Sequence, residues 1–295
     1  MRLPPPLRKG DRIAIVAPSS PFDLERYRRG AAWLSSRYRL SVRDDLFARA
    51  GYLAGDDERR RSELADAMAD PEVRAIVAAR GGYGAGRICT ELDWPAFSRA
   101  PKWIVGFSDV TALHVEAARV GVAAMHASMV ASPSLVSEAA RAEWIAALEG
   151  EAASRRWDGL VAITEGRAGG LAYGGNLALL EACAAAGRLE VPAGAVLFFE
   201  DCTERPYRID RMLTSLAIAG HLARASAIVV GDFTDCPPGK DGVSVDDVLR
   251  ARLSSLGVPV VCGAPFGHED RNRPFVIGAE VEVVSGAGQA FVAFS

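Results

Sequence analysis

The chain has 295 residues, of which 49% are hydrophobic and 24% charged, and its formal net charge is -3. That length and apolar content provide a sizeable core, spread over one large or two medium domains. The balanced charge, without a basic patch, argues against nucleic acid as a partner, and no stretch approaches the ~20 apolar residues of a membrane span. We therefore expect a cytoplasmic protein that binds neither nucleic acid nor membrane.

The cysteines are five in number and contain no C-x-x-C pair; they are Cys89, Cys183, Cys202, Cys236 and Cys262. An odd, scattered set fits neither a disulfide framework nor a zinc site. The sequence therefore predicts a protein of a reducing compartment, with no cysteine-based metal site.

Strand and helix patterns alternate through the first half of the chain. Continuous apolar runs predict buried strands, and amphipathic or charged segments between them predict helices. The predicted strands cover 12–18, 40–45, 73–80 and 102–107, and the predicted helices cover 23–37, 56–70 (a charged surface helix), 109–121 and 138–150. This alternation predicts a parallel sheet covered on both faces, with ligands at the carboxyl ends of its strands.

The second half of the chain differs from the first in composition and in the spacing of its apolar residues. Turn-forming residues become frequent after residue 150, which predicts a linker near 150–165. The predicted strands beyond it cover 195–201, 225–233 and 259–265, followed by a terminal strand pair within 279–294 that turns at "SGAG". The sequence therefore predicts two domains, residues 1–155 and a smaller mixed α/β domain at 165–295.

Ser108 lies in "KWIVGFSDVTALH", where an apolar run ends at Gly106 and helical spacing follows. One interpretation makes Ser108 a helix N-cap, with Asp109 complementing the helix dipole. The other makes Ser108 a nucleophile on a strand-turn-helix, with the N–H of Asp109 facing an oxyanion. The spacing matches G-x-S-x-G only in part, because Val110 stands at the second glycine, so both interpretations stay open at this point.

A serine nucleophile needs a base, and the chain has four histidines, His114, His126, His221 and His268. His114 lies on the helix that follows Ser108, where its side chain is not expected to reach back to the serine, and His221 at a helix end is expected to be structural. His126 follows an apolar run, and a structural and a functional role are equally open for it. His268 opens the polar loop "HEDRNRP" after a predicted strand, which is where a mobile base is expected. The alternative for His268 is a solvated loop residue.

A third member of such a site would be a carboxylate that orients the imidazole. Glu200 and Asp201 end a predicted strand, and Glu204 follows in the loop. Successive strand side chains face opposite ways, so only one of the first two can point into a given site. Together the candidates run in the order Ser, Glu, His, each at a strand end, which favours a hydrolase.

The glycine-rich loop "RGGYGAGR", residues 80–87, is the remaining motif. Its glycines do not form G-x-G-x-x-G and no P-loop lysine follows, so nucleotide binding is disfavoured. Close backbone approach at these glycines could instead supply a second oxyanion-hole N–H. A tight surface turn is the alternative.

These motifs together carry a family resemblance. The ordered set "IAIVAPSS", "ARGGYGAGRI", "PKWIVGFSDVTALH", "AYGGNLALL", "LFFEDCTERPYRIDRML" and "FGH…PFVIG" resembles the serine LD-carboxypeptidase family, which also contains the peptidases that inactivate microcin C. The resemblance extends from about residue 8 to 285 and is specific as a combination.

The resemblance implies a cytoplasmic, cofactor-free, homodimeric serine peptidase. Such enzymes remove the terminal D-alanine from murein tetrapeptide during cell-wall recycling. The implied fold is α/β, a flavodoxin-like parallel-sheet domain with the serine and a smaller mixed α/β domain with the glutamate and histidine.

The site residues follow from matching the motifs. The resemblance implies Ser108 as nucleophile, Glu200 as orienting acid and His268 as base, with Glu204 as the competing acid. It implies backbone N–H groups of Asp109 and of Gly82, or its neighbour Gly81, as oxyanion donors. Arg80 and Asn176 are implied as substrate-binding residues, and Arg87 is a further candidate for a substrate carboxylate.

One segment departs from the family pattern. The family commonly has His-Gly-Pro after the nucleophile helix, whereas this chain has His126-Ala127-Ser128. The change bears on substrate identity, and the alternative function is cleavage of a peptidyl- or aminoacyl-adenylate antibiotic such as microcin C. A stacking aromatic residue would favour that alternative, with Trp157 and Phe266 as candidates. A non-catalytic binding protein on the same scaffold ranks below both, because all three triad residues are present.

Overall fold

The computed structural model describes residues 1–132, 135, 137–150, 156–286 and 288–295. The chain divides into two compact units, Met1–Ala152 with Arg273–Val276, and Ala153–Asn272 with Ile277–Ser295. In the described part of the chain, no helix combines the length and the apolar character needed to cross a membrane.

The described residues of the first unit form a six-stranded sheet. Its strands are β1 (Arg12–Val16), β2 (Arg39–Ser41), β3 (Val73–Ala78), β4 (Trp103–Gly106), β5 (Ala124–His126) and β12 (Phe275–Ile277). They lie in the order β12-β5-β4-β3-β1-β2, and the pairings among β1 to β5 are all parallel. The order 2-1-3-4-5 is that of flavodoxin-like folds, so the predicted fold class is confirmed for this unit.

Helices follow these strands along the chain. They are α1 (Leu24–Ser35), α2 (Asp57–Ala69), α3 (Ala85–Ile88), α4 (Trp94–Arg99), α5 (Thr111–Arg119) and α6 (Glu138–Glu149). Four of them begin at a side chain that accepts a backbone N–H, from Asp23, Asp56, Asp93 and Ser137. The core of the unit contains the apolar side chains of β1, β3 and β4, with Leu34, Trp144 and Leu148 packed among them.

Helix α2 differs from its predicted character. Its sequence predicts a charged surface helix, but Arg60 and Glu63 are buried within the unit. Both side chains bind backbone groups of neighbouring loops, which compensates for their burial. The helix therefore has charged groups on its buried side as well as on its surface.

The described residues of the second unit form an eight-stranded mixed sheet in the order β6-β14-β13-β8-β9-β10-β11-β7. Its strands are β6 (Arg156–Asp158), β7 (Val161–Thr164), β8 (Gly166–Asn176), β9 (Ala195–Cys202), β10 (Ala225–Thr234), β11 (Val260–Cys262), β13 (Glu280–Gly286) and β14 (Gln289–Phe294). Its helices are α7 (Leu177–Ala185), α8 (Pro206–Ile218) and α9 (Val245–Leu253). The strands from β8 to β11 pair in parallel and the outer ones antiparallel, as expected for a mixed α/β domain.

The predicted linker near 150–165 is wrong for residues 156–164. These residues form β6 and β7, which pair with β14 and β11. Turn-forming residues here mark short, closely spaced strands rather than a connection. Residues 151–155 of the predicted linker, and Ala287 in the predicted "SGAG" turn, lie outside the described residues.

Candidate active site

Ser108 has a left-handed backbone, with φ +61°. It opens a 3₁₀ turn directly after β4, and α5 begins only at Thr111. The N-cap residues of the turn and the helix are Phe107 and Val110, so Ser108 is not an N-cap. A left-handed residue with a side chain costs about 1–2 kcal/mol, and strain of this kind collects at functional sites.

Gly81 lies against Ser108. A Cβ at position 81 would be 3.0 Å from the Ser108 Cβ, 3.2 Å from its Oγ and 3.4 Å from the backbone N of Asp109. The glycine therefore leaves space beside both the hydroxyl and that N–H. Gly82 has φ +104°, and a Cβ there would be 2.5 Å from the Oγ of Ser20. Gly82 thus packs against a different loop, and its role as an oxyanion donor stays a prediction.

The Asp109 side chain joins three loops. Its buried carboxylate accepts hydrogen bonds from the Ser19 hydroxyl at 2.6 Å and from the Ala85 N–H at 2.7 Å. Ser19 follows β1, Ala85 begins α3 after β3, and Asp109 follows β4. Burial raises the pKa of Asp109, while these hydrogen bonds act in the opposite direction. The side chain has a supporting role that is separate from the one predicted for its backbone N–H.

Two side chains of α2 support the same loops. Arg60 donates to the carbonyl oxygens of Pro18, at 2.6 Å, and Gly84, at 2.8 Å. Glu63 accepts the Ala17 N–H at 2.7 Å, and burial raises the pKa of Glu63 to about 7. The loops after β1 and β3 are therefore held by charged groups from beneath, a feature that the sequence prediction of a surface helix misses.

The arginines predicted to bind substrate have partners in their own unit. Arg80 is exposed and donates to the Pro21 carbonyl at 2.7 Å. Arg87 pairs with Asp57, with its Nε 2.9 Å from a carboxylate oxygen. A substrate-binding role for either arginine stays a prediction.

Two of the four histidines are buried in the first unit. His114, on α5, is fully buried, and that burial lowers the pKa of His114 to about 3. His126 ends β5, and its ring stacks on Phe275 with centroids 4.7 Å apart. Both rings are therefore buried among apolar side chains of the first unit.

In the second unit, His268 and Glu200 form a pair. The Nδ1 of His268 lies 2.7 Å from the Oε2 of Glu200, and the glutamate is fully buried. Glu204 instead lies 3.6 Å from the guanidinium of Arg208. Of the two competing carboxylates, Glu200 is therefore the one that contacts the imidazole.

The same environment shifts the titration of the imidazole. Burial alone would lower the pKa of His268, but hydrogen bonds with Cys202 and Glu200 outweigh it and raise the pKa to about 10. The Glu200 charge acts in the same direction. The pair therefore favours the protonated imidazole.

Asn176 lies behind this pair. Its amide Nδ2 donates to Asp201 at 2.9 Å and to Glu200 at 3.4 Å, and its Oδ1 accepts the Leu179 N–H at the start of α7. Burial and the neighbouring Glu200 charge raise the pKa of Asp201 to about 6. The contacts show Asn176 holding two carboxylates, and its predicted contact with substrate stays a prediction.

Gly267 and Asn272 shape the histidine loop, and the sequence prediction did not include them. Gly267 has φ +135°, and a Cβ there would lie 3.2 Å from the Oε2 of Glu200. Asn272 is buried, and its Oδ1 accepts the Gly267 N–H at 3.1 Å. The glycine directly before His268 is the sequence signal for this loop conformation, because only a residue without a side chain fits beside Glu200 there.

The aromatic residues considered for base stacking are part of the core. Trp157 and Phe266 are 1% and 0% exposed and stack on each other, with ring centroids 5.9 Å apart. The expectation that they could stack on a ligand base is therefore wrong, because their faces already pack within the unit. Among the described residues, no cluster of three or more His, Cys, Asp or Glu side chains could hold a metal ion.

Comparison with known proteins identifies the chain. The family model of the LD-carboxypeptidase N-terminal domain matches residues 13–127, and that of the C-terminal domain matches residues 169–283. The chain belongs to the LD-carboxypeptidase family. Its two matched segments contain all of the site residues discussed above, Ser108 in the first and Glu200 and His268 in the second.

Similarity to individual proteins is consistent with this family assignment. The chain is 32% identical to the murein tetrapeptide carboxypeptidase of Pseudomonas aeruginosa, over 90% of this chain and 91% of the relative. The crystal structure of muramoyltetrapeptide carboxypeptidase from Oxalobacter formigenes matches with a TM-score of 0.87 and 28% identity, over 96% of this chain and 98% of that one. A microcin C7 self immunity protein in complex with aspartyl sulfamoyl adenosine shares the fold, with a TM-score of 0.88 and 20% identity over 100% of this chain and 99% of that one.

Proposed function

We propose that this LD-carboxypeptidase family member is a serine peptidase that releases the terminal D-alanine from murein tetrapeptide. The strained, left-handed backbone of Ser108 at a strand-to-helix turn carries the proposal. A residue with a side chain tolerates that conformation where the turn must present its hydroxyl above the sheet edge. The function places the enzyme in the cytoplasm, in cell-wall recycling, and the family resemblance adds a homodimer.

The proposed chemistry assigns each residue one task. Ser108 attacks the carbonyl carbon of the L,D-peptide bond, and His268 accepts its proton. The His268 Nδ1 faces Glu200 at 2.7 Å, and we assign the transfer to Nε2. Glu200 fixes the tautomer and stabilises the imidazolium that forms.

The intermediate carries a negative oxygen that needs donors. We assign these to the backbone N–H of Asp109 and to that of Gly82 or Gly81. The space that Gly81 leaves beside Ser108 supports this assignment, because a carbonyl oxygen can enter there without meeting a side chain. His268 then protonates the leaving amine of D-alanine, and water releases the acyl group from Ser108, with no cofactor required.

Substrate class is tested with three compounds. The enzyme is incubated with murein tetrapeptide ending in D-alanine, with the same peptide ending in L-alanine, and with aspartyl sulfamoyl adenosine, and products are followed by mass spectrometry. We expect loss of one alanine from the first compound alone. Cleavage of the nucleoside conjugate, with both peptides intact, would replace the proposal by the microcin C alternative, and no cleavage of any compound would contradict both.

A further inference from the structure

Two exposed tyrosines lie side by side at the sheet edge of the first unit that bears Ser108. Tyr52 and Tyr83 are 66% and 52% exposed, and their ring centroids are 5.9 Å apart, with the ring planes tilted by 57°. Tyrosine rings provide large apolar faces for contacts with ligands, and two adjacent rings that both face solvent form one continuous apolar surface. We call this pair of residues the tyrosine platform.

The two rings belong to loops that are attached to the same support, the loop after β1. The N–H of Tyr83 donates to the Ser20 hydroxyl at 3.1 Å. Two residues after Tyr52, the N–H of Ala54 donates to the Ser19 carbonyl at 2.9 Å. The backbone beneath both rings is therefore held in place, as is expected of a surface that positions a ligand.

The tyrosine platform is close to Ser108. Tyr83 is two residues after Gly81, where a Cβ would be 3.0 Å from the Cβ of Ser108. Two residues span at most about 7 Å of chain, and the tyrosine side chain extends beyond that. In a tetrapeptide that loses its last residue, the three other residues span about 10 Å between the scissile bond and whatever is attached to the first. The platform is therefore within reach of a group at the amino end of the peptide.

We propose that Tyr52 and Tyr83 bind the sugar ring of a muramoyl-linked tetrapeptide, so that the enzyme prefers this substrate to the free peptide. The inference rests on the proposed function. Muramic acid is the sugar to which the peptide is joined in murein, and its pyranose ring has C–H groups on its faces. The negative face of an aromatic ring attracts such C–H groups, and both faces are apolar. The two tyrosines determine specificity and take no part in the bond cleavage.

The test compares N-acetylmuramoyl-tetrapeptide with the free tetrapeptide as substrates. We expect wild type to cleave the sugar-linked peptide with a kcat/KM ~10-fold higher, which is the size of preference that two aromatic contacts provide. Tyr52→Ala and Tyr83→Ala should each reduce the ratio of the two kcat/KM values to ~3-fold, and the double variant should abolish the preference. Tyr52→Phe and Tyr83→Phe keep the rings and should retain the wild-type ratio.

Ile218→Ala is the matched control for the loss of an exposed apolar side chain. Ile218 is 84% exposed at the end of α8 in the second unit, so its substitution should leave the ratio and both rates unchanged. Equal cleavage of the two substrates by wild type, or a preference that survives in the double alanine variant, would overturn the inference. An equal fall of kcat/KM for both substrates in that variant would also overturn it, because the tyrosines would then contact the peptide.

Binding without cleavage separates this inference from the proposed function. The Kd of each peptide is measured by isothermal titration calorimetry for Ser108→Ala, with and without the two tyrosine-to-alanine substitutions. We expect Ser108→Ala to bind the sugar-linked peptide ~10-fold more tightly than the free peptide, and the added substitutions to remove this difference. If this is found but wild type cleaves neither peptide, the proposed function is wrong and the sugar site stands.

A nucleoside is the competing occupant of the tyrosine platform. Aspartyl sulfamoyl adenosine is therefore titrated into the same two proteins. If the tyrosine substitutions weaken its binding and leave the two peptides unaffected, the platform stacks on a base and the inference is overturned.

Discussion

Ser108 combines a functional group with an unfavourable backbone. Its φ of +61° lies in the region that favours glycine, yet the position holds a side chain with a hydroxyl. The surrounding loops maintain this conformation through Asp109, which binds Ser19 and Ala85. Strain held in place by neighbouring contacts is expected where the presentation of a group matters more than stability.

This interpretation predicts that two substitutions with the same effect on activity differ in their effect on stability. Both Ser108→Gly and Ser108→Ala should abolish tetrapeptide cleavage, because neither has a hydroxyl. The glycine variant should be more stable than the alanine variant by about 1 kcal/mol, because glycine enters the left-handed region without a Cβ penalty. Urea unfolding of both variants measures the difference, and an alanine variant as stable as the glycine variant would show that the backbone is not strained.

The histidine–glutamate pair predicts a displaced pH profile. The pKa of His268 is raised, so only a minor fraction of the imidazole is neutral and able to accept a proton at neutral pH. The value of kcat/KM should therefore rise with pH through an apparent pKa above that of an ordinary histidine. Glu200→Gln should move this rise to lower pH and reduce the maximal rate at least ~100-fold.

Glu204→Gln is the matched control for that experiment. Glu204 contacts Arg208 rather than His268, so its substitution should leave both the pH profile and the rate close to wild type. If the profile moves with Glu204→Gln and stays fixed with Glu200→Gln, the orienting acid is Glu204 and the assignment of Glu200 is wrong.

The sequence predicts which residues are candidates for the site but not which tertiary contacts they make. The motifs indicate Ser108, Glu200 and His268, but the choice between Glu200 and Glu204 depends on strand register and loop path. The burial of Arg60 also cannot be predicted from composition, because the carbonyl groups that accept its hydrogen bonds are distant in the chain. Contacts between loops, rather than local patterns, decide these points.

At the level of elements, the loops after β1, β3 and β4 form one supported edge of the sheet. Asp109 joins all three, and Arg60 and Glu63 bind the first two from below. Glycine at position 81 then leaves the space beside Ser108 open. The edge lies where parallel sheets of this order bind ligands, which agrees with the position predicted for these loops.

Filling that space should impair catalysis without unfolding the protein. Gly81→Ala places a methyl group 3.2 Å from the Ser108 hydroxyl, so we expect kcat/KM for tetrapeptide to fall ~10–100-fold. Gly86→Ala is the matched control, since its Cβ meets nothing within 4 Å. The control should retain full activity and gain about 0.5 kcal/mol of stability as a helix substitution. Equal activity of both variants would remove Gly81 from the site.

Elements differ in how far the sequence predicts them. Strands β1, β3 and β4 are mostly apolar, buried runs between helices and are predicted at nearly the observed positions. Strands β6, β7 and β8 were missed, because two are short and the third is rich in glycine. In β8 the glycines permit close strand packing: a Cβ at Gly174 would lie 1.8 Å from the Phe198 carbonyl oxygen. A glycine-rich strand and a loop have similar composition and differ in tertiary contacts.

At the scale of the whole molecule, buried titratable groups make stability depend on pH. His114 is fully buried, and its pKa is lowered to about 3 from the ordinary value of 6.5. Between these values the unfolded chain binds a proton that the folded protein excludes, so this histidine reduces stability as pH falls below 6.5. The slope from one proton reaches about 1.4 kcal/mol per pH unit.

Glu63 and Asp201 have raised pKa values, so in part of this pH range they increase stability as pH falls. The effect of His114 is therefore predicted as a difference between wild type and a variant that lacks this histidine. The free energy of unfolding is measured for wild type and His114→Leu at several values between pH 7 and pH 4. The variant should lose stability less steeply on acidification. Parallel curves would show that His114 is protonated in the folded protein.

The measurement that tests the account most directly is the mass spectrum of murein tetrapeptide after incubation with wild type, with Ser108→Ala and with the control Glu204→Gln. We predict loss of one alanine with wild type and with Glu204→Gln, and an intact peptide with Ser108→Ala. Cleavage by Ser108→Ala at the wild-type rate would contradict the account, because the strained serine would then be no part of the chemistry.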